Sequence, residues 1–196
     1  MSTAPLRVLL IAGSARQGAF SVKLRDAAQR AADAAGAVTQ VFDLRTLALP
    51  LYDGDIEAAQ GVPPAVEQLR AAIAANDVLV IVTPEYNGFP TPLVINAFDW
   101  LSRIKDGLTT TAEKPVALFA SSPGALGGLR AMNFLRQYLQ MAFGMIVMPH
   151  QQAVGHASSA FTPDGDLADA KAATTLNAVL AALLRLAAAQ RAQRLA

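Results

Sequence analysis

The sequence predicts an α/β fold in which a five-stranded parallel sheet is covered by helices on both faces. Short aliphatic and β-branched runs alternate with Ala-rich stretches of helical periodicity along the whole chain. The first of these runs is continuously apolar, which is typical of a strand buried on both faces. With 53% hydrophobic residues, residues 1–196 are expected to form one domain with a sizeable core.

Five apolar runs are the predicted strands, at residues 8–12, 38–44, 77–82, 115–120 and 145–148. The third run, DVLVIV, carries the strongest strand signal. Parallel strands that are joined by right-handed crossovers are expected here in the order 2-1-3-4-5. A sheet of this kind binds ligands beyond the carboxyl ends of its strands.

Five helices are predicted between and after the strands, at residues 21–35, 63–75, 92–103, 128–143 and 167–190. Gly36 is placed to end the first helix, and Thr91 is placed to cap the third, with Pro92 at its first position. Residues 49–64 form the longest predicted irregular connection, and we expect its tip to be mobile.

Composition excludes several classes of function. The chain has no cysteine, which excludes disulfides, thiolate nucleophiles and Fe–S clusters. Its two histidines, His150 and His156, are expected to be loop residues and not metal ligands. Charged residues make up 16% of the chain and Lys and Arg are scattered, so no surface for nucleic acid or membrane is expected. Redox chemistry would therefore need a bound organic cofactor.

Neither end of the chain is predicted to insert into a membrane. The apolar run at residues 8–12 is too short for the apolar region of a signal peptide. Lys171, Asn177 and Arg185 interrupt the Ala/Leu-rich C-terminal stretch, which favours an amphipathic helix over a membrane span. A cytoplasmic location is expected by elimination.

The loop after the first strand is suited to bind a phosphate. Ser14 and Ser21 supply hydroxyl groups, Arg16 supplies a guanidinium, and the following helix supplies free backbone N–H groups. These donors match a terminal phosphomonoester. Neither the dinucleotide fingerprint nor the P-loop pattern is present. On the loop alone, a polar turn with a solvated arginine explains the pattern equally well.

The loops after the third and fourth strands are suited to a planar ring. Residues 83–90 (TPEYNGFP) place backbone amides and the Asn87 side chain where a heterocycle could exchange hydrogen bonds with them. Residues 121–128 (SSPGALGG) combine serine hydroxyls with glycines that allow close approach to the backbone. The alternative is a rigid loop that only begins a helix, with Glu85 and Tyr86 as surface residues. Three such loops at one sheet edge favour a single ligand site.

Four segments resemble the NADPH-dependent FMN reductase family, which includes quinone and chromate reductases. They are GSARQGAFS (13–21), PEYN (84–87), NAFDWLSR (96–103) and SSPGALGGLR (121–130), and the resemblance covers nearly the whole chain. It implies a flavodoxin-like three-layer sandwich that binds FMN, accepts electrons from NADPH or NADH, and forms a homodimer or homotetramer.

The resemblance also implies which residues hold FMN. The expected phosphate site is Ser14, Arg16, Phe20 and Ser21; the expected ring site is Pro84, Glu85, Tyr86 and Asn87, with Ser121 and Gly124 on its other side. The chain departs from the family at three positions. Ala19 and Ser21 replace the usual Ser and Asn, and Ile95 replaces a frequent Lys. The loss of one hydroxyl at Ala19 predicts weaker phosphate binding that nevertheless survives.

The helix that carries Asp99 and Trp100 resembles the family's subunit interface, although ordinary core packing accounts for Trp100 equally well. The implied activity is NAD(P)H-dependent transfer of two electrons through FMN to a quinone, chromate or similar small acceptor. No protein group is expected to be catalytic, because the cofactor carries the chemistry. A flavodoxin-like electron carrier acting through protein partners is the alternative. A hydrolase built on Ser121 or Ser122 with His150 is a third possibility, disfavoured because no G-x-S-x-G elbow is present.

Overall fold

The computed structural model describes residues 4–194, and a parallel sheet lies at its centre. Its strands are β1 (Arg7–Ala12), β2 (Val38–Phe42), β3 (Val78–Thr83), β4 (Pro115–Ser121), β5 (Ile146–Val147) and β6 (Gln152–Val154). The order β2-β1-β3-β4-β5 confirms the predicted order, and β6 also pairs with β4. Every strand pairing is parallel, so the carboxyl ends of the strands meet at one edge.

Helices lie on both faces of the sheet, as predicted. They are α1 (Phe20–Ala34), α2 (Gly54–Gln60), α3 (Val66–Ala75), α4 (Pro92–Leu101), α5 (Gly107–Thr111), α6 (Leu129–Phe143) and α7 (Ala170–Arg194). Buried residues of α3, α4 and α6 form one core cluster with the sheet. Those of α1 and α7 form the other. The described chain is therefore a three-layer sandwich.

The strand sequences explain why two cores form. Successive side chains of a strand point to opposite faces, so a fully apolar strand supplies both. In β1, Leu9 and Ile11 pack in the first cluster, and Val8 and Leu10 pack in the second. All six residues of β3 are buried. Each fully buried aliphatic side chain contributes about 1.5–3 kcal/mol, so these strands anchor the sheet.

Two predictions before α3 are wrong in detail. Predicted strand 38–44 ends at Phe42, because the Asp43 carboxylate accepts the Arg45 N–H and begins a 3₁₀ turn at Leu44–Leu47. The connection at residues 49–64 is not irregular throughout, since it contains α2. The Asp53 carboxylate accepts the Asp55 N–H at the start of that helix.

The fifth predicted strand is also wrong in part. Only Ile146–Val147 pairs with the beginning of β4, and β6 pairs with the end of β4 after an interruption at residues 148–151. Pro149 lies in the interruption and has no N–H to donate to a ladder. The Arg136 side chain instead donates to the carbonyl oxygens of Val147 and Met148.

Several helix boundaries differ from the predicted ones. The helix predicted from residue 63 begins at Val66 as α3, and the last helix extends to Arg194, beyond the predicted end at residue 190. α5 was not predicted, and α4 ends at Leu101, two residues before the predicted end. The last helix begins at Ala170 and not at Leu167, because the Asp169 carboxylate accepts the N–H groups of Lys171 and Ala172. α1 ends one residue early, although Gly36 follows it with φ of 82°, as the C-terminal glycine prediction requires.

The structure decides two expectations about the α4 region: whether Thr91 caps the helix, and whether Trp100 is a core residue. Thr91 precedes α4 with extended backbone, but its hydroxyl makes no capping hydrogen bond and donates to the Gly13 carbonyl oxygen. The prediction of a side-chain cap is therefore wrong. Trp100 is fully buried within its own chain, where its indole N–H donates to the Pro50 carbonyl oxygen. Core packing accounts for this residue.

One helix among residues 4–194, α7, is long and apolar enough to cross a membrane by length and composition alone. This is weak evidence for a span, because core helices of soluble proteins have the same properties. One face of α7 packs against the sheet, through the buried residues Leu176, Val179, Leu180, Leu183 and Ala187. The buried residues recur at helical spacing, so one face of α7 belongs to the core, but the helix as a whole is not the amphipathic one expected from the sequence.

Candidate functional site

A cavity of about 120 Å³ lies at the carboxyl edge of the sheet, where the loops after β1, β3 and β4 meet. It is lined by eight of the ten predicted cofactor residues, namely Ser14, Arg16, Phe20, Ser21, Pro84, Glu85, Tyr86 and Ser121, together with Ala19, Ser122 and Pro123. Asn87 and Gly124 do not line it. The topology thus brings together segments that are more than a hundred residues apart in sequence.

The loop between β1 and α1 forms one wall of this cavity. Ser14 is buried, and its hydroxyl accepts the Arg16 N–H at 3.2 Å, which tightens the turn. The Arg16 side chain is exposed, and its guanidinium carbon lies 5.9 Å from the centre of the Phe20 ring. Ala19 takes the N-cap position of α1 without a side-chain cap, so the first N–H groups of the helix are left for another acceptor.

Two buried hydroxyl groups on this cavity have no partner. The Oγ atoms of Ser21 and Ser121 make no hydrogen bond within residues 4–194, and both residues are only 1% exposed. A buried polar group without a partner costs about 1–3 kcal/mol, so a ligand that bonds to these hydroxyls would recover that free energy. The set of hydroxyls, a guanidinium and a helix N-terminus has the donors that a phosphate requires. The residues present therefore fit the phosphate end of FMN.

The loop after β3 ends in a two-residue hairpin that sequence analysis did not identify. Tyr86 and Phe89 exchange two backbone hydrogen bonds of 3.0 Å across it. Asn87 and Gly88 have φ of 54° and 84°, the left-handed pair that a type I′ turn requires. The Asn-Gly dipeptide was the available signal. The turn leaves both aromatic residues about half exposed: Tyr86, at 48%, lines the cavity, whereas Phe89, at 50%, packs its ring against Phe134.

Glu85 connects the loop after β3 to the start of α6. Its carboxylate accepts hydrogen bonds from the Arg130 side chain, at 2.9 Å from Nε, and from the Ala131 N–H at 3.3 Å. Burial raises the pKa of Glu85, but these hydrogen bonds outweigh burial and hold the pKa below its ordinary value. A carboxylate near a helix N-terminus is also favoured by the helix dipole. The charge of Glu85 is thus already engaged by the protein.

The loop after β4 is fixed by the segment that follows β6. The Ser122 N–H donates to the Val154 carbonyl oxygen at 3.2 Å, and the Ala157 N–H donates to the Ser122 carbonyl oxygen at 3.1 Å. A Cβ atom on Gly127 would lie 2.5 Å from the Gly155 nitrogen, so the two segments touch through glycine backbone. β6, which sequence analysis missed, therefore determines the position of this loop.

His150, the candidate base of a hydrolase, lies apart from the cavity. His150 lines a different cavity beside α7, with Thr174 and Arg185, and neither Ser121 nor Ser122 lines that one. The Ser–His arrangement of a hydrolase is not formed by these residues. No group of three or more His, Asp or Glu side chains within residues 4–194 is arranged to hold a metal ion.

Comparisons with known proteins agree with this geometry. Residues 6–159 match the family model described as NADPH-dependent FMN reductase. A quinone reductase of Escherichia coli K12 is 37% identical over 142 residues, which cover 72% of this chain and 73% of that protein. An NAD(P)H-dependent FMN reductase of Pseudomonas aeruginosa is 35% identical over 179 residues, covering 91% and 93%.

A solved structure supports the same assignment. The flavoenzyme FerB, an NAD(P)H:(acceptor) oxidoreductase from Paracoccus denitrificans, superposes with a TM-score of 0.79 at 27% identity, covering 93% of this chain and 97% of that one. The fold is flavodoxin-like, and the family match includes every loop that lines the cavity up to Ser122 and Pro123. The chain belongs to the NADPH-dependent FMN reductase family.

Proposed function

We propose that the protein is an NAD(P)H-dependent FMN oxidoreductase that passes two electrons through bound FMN to a quinone or a similar small acceptor. The observation that carries the proposal is the cavity at the sheet edge, because it joins the loops after β1, β3 and β4 and is lined by Ser21 and Ser121, whose buried hydroxyls have no partner within residues 4–194. Family membership supports the same activity.

The chemistry that FMN supplies when bound is two-electron transfer between a reduced nicotinamide and an acceptor. In this proposal the residues of the chain bind FMN and hold it in a fixed orientation. In our proposal Arg16 donates charge-assisted hydrogen bonds to the phosphate, and Ser14, Phe20, Ser21 and the N-terminus of α1 surround it. Arg16 suits this task because its side chain makes no hydrogen bond to another group within residues 4–194.

The ring is proposed to lie between the loop after β3 and the loop after β4. Pro84, Tyr86 and Asn87 are proposed to border one side, and Ser121 and Gly124 the other. The hairpin supports this assignment, since Tyr86, which is half exposed, lines the cavity where the hairpin begins. Glu85 is proposed to act mainly by fixing the loop, because its carboxylate is bonded to Arg130 and Ala131.

Donor, acceptor and assembly are the finer parts of the proposal. NADPH is the proposed donor, with NADH as a substitute, and quinones are proposed before chromate because relatives carry the name quinone reductase. No specific observation favours the electron-carrier alternative. We also propose a cytoplasmic homodimer or homotetramer. The half-exposed Phe134 and the exposed Met141 on α6 support an interface there.

Anaerobic stopped-flow spectroscopy tests the proposed function. The FMN-loaded protein is mixed with NADPH, and separately with NADH, and the flavin absorbance is followed; a quinone is then added to the reduced protein. Rapid bleaching by the nucleotide and rapid recovery with quinone are expected, and initial rates should follow ping-pong kinetics. FAD recovered on denaturation, or bleaching only by a protein reductase, would contradict the proposal.

A further inference from the structure

Thr91 joins the two loops that the proposed function assigns to the two ends of FMN. It stands between the loop after β3 and the first residue of α4, and it is 1% exposed. Its hydroxyl donates to the carbonyl oxygen of Gly13, which begins the loop between β1 and α1. The two residues are 78 positions apart in the sequence.

Gly13 is held by hydrogen bonds at both its N–H and its carbonyl oxygen. Its N–H donates to the Val82 carbonyl oxygen at 2.8 Å, and its carbonyl oxygen accepts the Thr91 hydroxyl. A Cβ atom at this position would lie 2.7 Å from the Val94 Cγ2 atom, so the contact with α4 is closed to any larger residue. Gly13 therefore has little room to move while the Thr91 hydrogen bond is present.

The position of Gly13 determines where the next residues of the loop, which face the cavity, lie. Ser14 is the next residue, and its hydroxyl fixes the turn by accepting the Arg16 N–H. Ser14 and Arg16 line the cavity on one side, and Pro84 lines it on the other. The Pro84 Cδ atom is also close to Gly13, since it would lie 3.4 Å from a Cβ atom on that glycine. One hydrogen bond thus links the two walls at their base.

The Thr91 side chain does not serve the helix that it precedes. The backbone carbonyl oxygen of Thr91 accepts the N–H groups of Val94 and Ile95, as is usual at the start of a helix. The Thr91 hydroxyl makes no hydrogen bond to the helix. Valine has nearly the same shape and would begin the helix equally well. The hydroxyl is therefore needed only by Gly13.

We propose that Thr91 is a positioning residue whose hydroxyl sets the separation between the phosphate-binding loop and the ring-binding loop. The inference rests on the proposed function, since the separation matters only to a ligand that contacts both loops. FMN contacts both in that proposal, whereas riboflavin lacks the phosphate. Loss of the hydroxyl is therefore expected to reduce the preference for FMN over riboflavin. This effect on binding is separate from any decrease in the stability of the fold.

Fluorescence titration of the apo-protein with FMN and with riboflavin tests this role. Thr91→Val removes the hydroxyl, Thr91→Ser keeps it, and Thr91→Ala is a second hydroxyl-free variant in case valine does not fold. Both hydroxyl-free variants are expected to raise the dissociation constant of FMN by up to about tenfold, since the free energy of one buried hydrogen bond is the most that loss of positioning can cost. The constant for riboflavin should change much less, and Thr91→Ser should bind FMN as the wild type does.

Thr111→Val is the matched control. Thr111 is fully buried, and its hydroxyl donates to the carbonyl oxygens of Leu108 and Phe143, before β4 begins and far from the carboxyl edge of the sheet. This variant should lower the melting temperature without changing the preference for FMN over riboflavin. The comparison separates positioning from stability, because both variants remove a buried hydroxyl that bonds to a carbonyl oxygen.

Four outcomes would overturn the inference. A wild type that binds no FMN removes the proposed function and this inference with it. A wild type that binds FMN, with hydroxyl-free variants that keep its preference within about twofold, removes only the inference. Thr91→Ser losing the preference as Thr91→Val does would mean that retaining the hydroxyl is not sufficient, so the effect could not be assigned to its hydrogen bond. Failure of both hydroxyl-free variants to fold would make the hydroxyl a requirement of folding alone.

Discussion

The guanidinium of Arg130 reaches across from the start of α6 to the carboxylate of Glu85, with Nε 2.9 Å from Oε1. This ion pair and the bond from Thr91 to Gly13 connect the three ligand loops in sequence, the first to the second and the second to the third. Glu85 is the buried partner, with 8% of its side chain exposed, and Arg130 is largely exposed. The ion pair is therefore expected to order the loop after β3.

The Glu85–Arg130 pair is expected to stabilise the protein at neutral pH and to lose this effect in acid. The pKa of Glu85 is lowered from 4.5 in the folded state, so its contribution is present above the unfolded pKa and disappears as the pH falls through the folded one. A double-mutant cycle of Glu85→Gln and Arg130→Gln should give a coupling in melting temperature at pH 7 that vanishes well below pH 4. Equal coupling at both pH values would contradict the carboxylate's role.

Arg16→Ala is expected to weaken FMN binding by tenfold or more, because a charge-assisted hydrogen bond contributes about 1.5–3 kcal/mol. Riboflavin, which has no phosphate, should bind the variant and the wild type alike. Fluorescence titration of apo-protein measures both. Arg30→Ala is the control, since Arg30 is an exposed arginine that pairs with Asp166 and does not line the cavity. An unchanged FMN constant in Arg16→Ala would place the phosphate elsewhere.

Gly127→Ala is expected to destabilise the protein severely, whereas Gly124→Ala should be tolerated. At Gly127, φ is 61° and a Cβ atom would meet the Gly155 nitrogen at 2.5 Å. At Gly124 the nearest atom outside its neighbours is the Ser122 Oγ at 3.7 Å. Thermal unfolding of the apo-proteins measures the difference, which should exceed about 2 kcal/mol in free energy of unfolding. Similar melting temperatures would mean that the loop after β4 yields easily.

Assembly is expected to be dimeric or tetrameric, as the family resemblance implies. Multi-angle light scattering at micromolar concentration should give a multiple of the 20.5 kDa chain mass. If α6 forms an interface, Met141→Glu should shift the mass downwards, because Met141 is 87% exposed in the single chain and a charge there opposes apolar contact. Gln140→Glu offers a neighbouring change of charge for comparison. A wild-type species of 20.5 kDa would contradict the prediction.

The fold could be predicted from sequence because its strongest signals are local. The apolar run of β3 and the helical spacing of α6 and α7 specify elements, and alternation of the elements specifies a parallel sheet. The weaker elements depend on single side chains. The Asp53 cap begins α2, and the Asp169 cap fixes the start of α7, but neither carboxylate reveals from sequence which N–H it will accept.

The candidate site also combines features that the sequence predicts with features that it does not. Loops that follow strands at one sheet edge must lie near one another, so the sequence could predict that Ser14, Glu85 and Ser121 would share a cavity. The sequence could not predict that Glu85 would pair with Arg130, or that the Thr91 hydroxyl would bond to Gly13 instead of capping α4. Both are long-range choices between competing partners, and the packing of the finished fold decides them.

The interrupted edge beside β4 also bears on how the protein behaves in a crowded solution. A long edge strand displays a row of free N–H and C=O groups that can pair with a strand of another chain. Here the edge is divided into Ile146–Val147 and Gln152–Val154, with Pro149 between them and Arg136 bonded to the carbonyl oxygens of Val147 and Met148. That side of the sheet offers no continuous template for another strand, which protects the apolar sheet from edge-to-edge aggregation.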